Sequence, residues 1–102
     1  MIIAYSTAPN EKTANEIAHQ LINAKLAACI NIIPNIKSIY CWNNKIIEDN
    51  EVLMMIKSKK NKQQSLIDTL VQIHPYDIPE VIIIPIENGF DGYLNWIHHA
   101  LK

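Results

Sequence analysis

The succession of elements in this chain predicts an α+β fold, a ferredoxin-like sandwich of split β-α-β units with a long β-hairpin and a C-terminal helix. Three observations lead there. Apolar residues alternate at a spacing of two in some stretches and recur at three and four in others, in the order strand, helix, strand, strand, helix, strand, helix. The handedness of β-α-β crossovers then folds two such halves into one sheet backed by helices. The chain is 102 residues long, 49% hydrophobic and 19% charged, which suits a single domain over residues 1–102 with a modest core.

Ile2 to Ser6 is short, apolar and β-branched, and Thr7-Ala8-Pro9-Asn10 closes it, so it reads as a strand and a turn. Asn10 can cap the helix that follows, with Glu11 in its first turn. Ala14, Ile17, Ala18, Leu21, Ile22 and Lys25 share one face of that helix, which should end near Lys25 or Leu26. His19 falls on the polar face and reads as a solvated histidine. Leu26 to Ile33 runs into a second strand, bent at Pro34-Asn35. From there Ile36, Ser38, Tyr40 and Trp42 face one way, and Lys37, Ile39 and Cys41 the other.

Asparagine tolerates positive φ, so Asn43-Asn44 reads as a tight hairpin turn. The return strand runs from Lys45 to Lys59, with acid at Glu48, Asp49 and Glu51. The unbroken apolar run Val52 to Ile56 predicts burial on both faces. Each arm of this hairpin is far longer than the typical ~5–6 residues. A chain this small cannot cover a hairpin that projects so far, and Tyr40 and Trp42 near its tip imply a partner surface. Self-association is the economical explanation.

Gln63 to Ile73 is a second helix, with Leu66, Ile67, Leu70, Val71 and Ile73 inward, stopped by His74-Pro75. Val81 to Ile86 is β-branched throughout except for its proline and reads as a central strand. Phe90 to Leu101 is a terminal helix with Tyr93, Leu94, Ile97 and Leu101 inward. Trp96 lies off that stripe and must meet another surface.

Composition excludes several functions. The net charge is −1 and all nine basic residues are lysine, so neither the basic field nor the arginine fork of a nucleic-acid binder is present. No apolar run approaches the ~20 residues that span a bilayer. With only two cysteines, Cys29 and Cys41, reduced thiols in the cytoplasm are expected, and the strand-like start leaves no room for a transit peptide. Two glycines cannot build a phosphate loop.

An enzyme is not expected. Both cysteines stand in apolar strands, where a thiol behaves as a small hydrophobe. The Glu48–Glu51 acids read as a solvated break in a long strand. His98-His99 diverge by about 100° on their helix and suit a solvated end better than a shared ion.

One corner stands out, His74-Pro75-Tyr76-Asp77-Ile78-Pro79-Glu80. Prolines at 75 and 79 make it rigid, and its first reading is structural. Its side chains, with Cys29 elsewhere, are also the donors a borderline-soft metal such as copper or zinc would take.

Taken together, these segments strongly resemble the CutA family of divalent-cation tolerance proteins. The matching runs are Thr7-Ala8-Pro9, Lys25 to Pro34 with Leu26-Ala27-Ala28-Cys29, Ser38 to Trp42, Glu51 to Lys57, His74-Pro75-Tyr76, Pro79-Glu80, Pro85-Ile86 and Tyr93 to Ile97. The resemblance implies a tight homotrimer, similar to the PII signalling proteins, that acts in divalent metal ion tolerance with copper binding and without a known reaction. An alternative is a PII-like module that binds a small molecule or a partner protein between subunits. The resemblance implies copper ligands at a cysteine before Thr-Ala-Pro and at a His-His pair before Pro-Tyr. This chain has Ser6 and Ile73-His74 there, which leaves His74, with Cys29 as a further thiol. Cys41 replaces the usual basic residue between Tyr40 and Trp42. Tyr40, Trp42 and Trp96 are the expected subunit contacts.

Overall fold

A computed structural model describes residues 1–102. Strand β1 (Ile2–Ala8) leads to helix α1 (Glu11–Asn23), and strands β2 (Cys29–Trp42) and β3 (Lys45–Ser58) form the hairpin. A short 3₁₀ turn, Lys60–Lys62, enters helix α2 (Gln63–Ile73), and strand β4 (Ile82–Pro85) and helix α3 (Asp91–Ala100) complete the chain. The sheet order is β2-β3-β1-β4 and every neighbouring pair is antiparallel. This is the split β-α-β arrangement the sequence predicts.

Helices α1 and α2 cover one face of the sheet. Ile2, Ala4 and Ala8 of β1 and Val52, Met54 and Ile56 of β3 point into that layer, against Ile17, Leu21, Leu66 and Leu70. Asn10 caps α1 as expected, its Oδ1 accepting from the Thr13 N–H at 2.8 Å. The helix stops at Asn23, two residues before the expected end, because Lys25 takes φ 56°. The chain then reverses, the Leu26 N–H donating to the Leu21 carbonyl and the Lys25 N–H to that of Ile22.

The other face is largely open. The run Val52–Ile56 is not buried on both sides: its even members lie under the helices while Leu53 and Met55 are only half-covered. Strand β4 is an edge strand, not the central one its composition suggests. It pairs with β1 alone, and Ile82 and Ile84 stand exposed on the open face. Their apolarity therefore answers to an uncovered surface. Val71 of α2 and Tyr93 of α3 are likewise exposed, against the inward positions expected for them. Ile97 and Leu101 anchor α3, and the Lys57 ammonium lies 5.4 Å from the Tyr93 ring centre.

Each hairpin arm has 14 residues, and Asn43 and Asn44 turn it with φ of 50° and 63°. The register runs from Trp42↔Lys45 to Ile36↔Glu51, and slips at a bulge so that Ile33 faces Leu53. Asn35, with φ 61°, sits in that bulge.

Candidate functional site

The bulge, the hairpin register and the proline corner together build one cleft of about 350 Å³. From β2 come Tyr40 and Trp42, two residues apart and so on one face. Asp49 and Glu51 reach it from β3, and Tyr76, Asp77, Ile78 and Glu80 from the corner. Thr7, near the end of β1, closes the set.

Two phenols are committed to two of the carboxylates. Tyr40, diagonal to Asp49 across the hairpin, donates its O–H to Asp49 Oδ2. The Tyr76 O–H donates to Glu51 Oε2 at 2.7 Å. Both phenols have their pKa raised. For Tyr40 the hydrogen bond to Asp49 is the main cause, and for Tyr76 it is burial, then the bond to Glu51. The Glu80 carboxyl is also pushed up, by burial and then by the charge of Glu51. Glu51 is 9% exposed, so the acids of β3 are not simply a solvated break in the strand.

His74 stands beside this cleft and braces it. Its Nε2 bonds the Thr7 carbonyl at 2.7 Å and its Nδ1 accepts the Tyr76 N–H at 3.1 Å. A carbonyl only accepts, so Nε2 carries the ring proton and Nδ1 offers the lone pair. Both nitrogens are spent, and the ring is 7% exposed. The residue that reads as a metal donor ties β1 to the corner and fixes the first turn after α2.

Cys29 is no neighbour of it. Cys29 pairs with Lys57, which pairs with Ile3, whereas His74 bonds Thr7, four residues along β1. Four residues of strand separate the two levels by about 13 Å. No three His, Cys, Asp or Glu side chains gather closely enough to hold a metal ion. The donor set of one subunit therefore does not fit a copper site at His74 and Cys29. Cys41 is exposed rather than packed in a strand.

Tyr40 and Trp42 wall the cleft and remain 40% and 47% exposed. Trp96 stacks on Tyr93 at 5.7 Å with about half its surface open. Glu51 is the residue that sequence reasoning passed over. Counting back from the Asn43-Asn44 turn would have found it, since that register puts Tyr40, Asp49 and Glu51 on one face.

Comparison with known proteins follows the same outline. Residues 2–100 match the family described as CutA1 divalent ion tolerance protein. The mouse protein CutA is 50% identical over 99 residues, which are 97% of this chain and 56% of that protein. The chain thus spans about half the length of its mammalian relatives. A divalent-cation tolerance protein CutA of Pectobacterium atrosepticum is 38% identical over 99% of this chain and 92% of its own. Among solved structures, the periplasmic divalent cation tolerance protein CutA of Archaeoglobus fulgidus superposes with a TM-score of 0.96 at 38% identity, covering 100% of both chains. CutA1 of Oryza sativa gives 0.96 at 39% identity, over 99% of this chain and 93% of that one.

Proposed function

Because the chain belongs to the CutA1 divalent ion tolerance family, we propose that it serves divalent-cation tolerance as a homotrimer that binds without catalysing a reaction, with the carboxylate cleft as its working site. The observation that carries this reading is the cleft's charge: four carboxylates and no basic side chain line it. Such a site attracts cations and repels anions.

A binding role rather than a catalytic one is supported by the state of the reactive groups. The cleft phenols hold their protons more tightly than usual, His74 has no free nitrogen, and neither cysteine has a histidine bonded to it. The number three comes from the family resemblance. The need for partners comes from the exposed Ile82, Ile84, Trp42 and Trp96.

Copper is the ion the resemblance names, and the donors here suit it poorly. A cleft of carboxylates and phenols offers hard oxygens, which favour Mg²⁺, Ca²⁺ or Mn²⁺ over a copper ion. The proposal keeps cation tolerance and gives up His74 as a copper ligand. The test compares cells that lack their own copy and carry the wild type, His74→Asn or Glu51→Gln, grown in raised Cu²⁺ or Zn²⁺. Tolerance is expected to survive His74→Asn and to fall with Glu51→Gln at equal protein level. The reverse pattern would restore the histidine site.

A further inference from the structure

The charge balance of the cleft is incomplete in a specific way. Glu51 is more than nine-tenths buried, yet only Oε2 has a partner, the Tyr76 hydroxyl. Its second oxygen, Oε1, takes no hydrogen bond from the chain and opens into the cleft. A carboxylate withdrawn from water without a counter-charge is costly, and Asp49, Asp77 and Glu80 around it add like charge. The only ion pair in the chain, Lys37 to Glu48 at 3.7 Å, involves none of the cleft residues. The raised Glu80 carboxyl is the same crowding felt at a second group.

The geometry narrows what can relieve it. A bare divalent ion needs about six or more oxygens at one point, and these carboxylates do not converge. They are spread around a space of about 350 Å³, near the lower limit for a small-molecule site. The remaining walls are aromatic or apolar: the indole of Trp42, the rings of Tyr40 and Tyr76, and the exposed Ile78. Both phenols have already donated their single proton, so neither offers it to a ligand. The complement is a group that supplies several N–H donors and positive charge, on a stem that lies against an aromatic face.

We propose that this cleft binds a small aliphatic amine in its ammonium form, of the diamine class. The ammonium sits on Glu51 Oε1 with its charge shared by Asp49 and Glu80, and the methylene stem lies along Trp42 and Ile78. The proposal rests on the cleft being the working site and adds the chemical class of its ligand.

The test is calorimetric titration of the assembled full chain with 1,4-diaminobutane at low salt, with 1-butanol and MgCl₂ at matched ionic strength as controls. Trp42 emission, read in a Trp96→Phe background, reports whether the ligand reaches the cleft. Diamine binding is expected, with a change in Trp42 emission, at least tenfold weaker in Glu51→Gln and weakened also by Glu80→Gln and by added salt. Glutamine keeps the shape of Glu51 and can still accept from Tyr76, so loss of the fold is not the expected route. Binding equal in both variants, or matched by MgCl₂, overturns the proposal. So does no binding to the wild type, and a smaller assembly for Glu51→Gln would then assign the carboxylate to a lysine of a neighbouring copy. Failure here with loss of tolerance in Glu51→Gln cells would keep the cleft and reject the amine.

Discussion

At Ser6 the chain buries a hydroxyl completely and gives its oxygen nothing to bond. The residue points into the helix-covered layer between Ala4 and Ala8, where a small apolar side chain would cost nothing in hydration. An unpartnered buried hydroxyl costs about 1–3 kcal/mol, and the hole left on removing it returns only part of that. Ser6→Ala is therefore expected to stabilise the protein by about 1 kcal/mol, with Ser6→Cys in the same direction. A urea midpoint that falls in both would show that the hydroxyl has a partner. The same scale shows why the site was only half legible. Sequence marks His74 as a ligand-type side chain, but the direction of its two nitrogens depends on where Thr7 and Tyr76 lie, and Thr7 is 67 residues away. Glu51 is hidden by its setting among other acids, and only its register separates it from them.

Among the elements, the hairpin was the most readable, because alternation and a turn pair are local signals. Its turn gives a prediction. Positive φ at both Asn43 and Asn44 is what a type I′ turn requires, and glycine reaches it more easily at the second position. Asn44→Gly should raise the thermal midpoint slightly, whereas Asn44→Val, β-branched at φ 63°, should cost on the order of 1–3 kcal/mol. Equal midpoints for the two variants would mean that the turn relaxes without strain. Strand β4 was misplaced because an unbroken apolar run has two causes: cover by the same chain on both faces, or an open face that another surface must cover. Composition does not separate them. The end of α1 was missed because a lysine takes the left-handed position usually given to glycine or asparagine.

For the whole molecule, the proportions make the argument. The chain extends over 45 × 25 × 22 Å, with the hairpin as its long arm, and only 20 of 102 residues are buried. A core of that size leaves a single copy marginal, while the open face and the hairpin hold exposed Ile39, Ile46, Ile82 and Ile84. Light scattering at concentrations on the order of 10 μM, the range of modest affinities, is expected to give three times the 11.7 kDa of one chain. A mass of one chain would end the trimer proposal and leave those faces unexplained. The need for partners could be read from the sequence as excess strand length, but which surfaces meet could not, since that follows from sheet order.

The bulge at Pro34-Asn35 has a consequence best put as phase. Before it, odd-numbered residues of β2 share the face of Leu53, as Ile33 does; after it, even-numbered ones do, as Ile36 does opposite Glu51. One supernumerary residue thus shifts the reading frame of the strand by half a period. Read without it, Tyr40 and Trp42 would look toward the opposite side of the sheet, and Ile39 and Cys41 would stand where the aromatic wall is now. The address of that wall is written not in the aromatic residues but in an asparagine five positions upstream of the tyrosine.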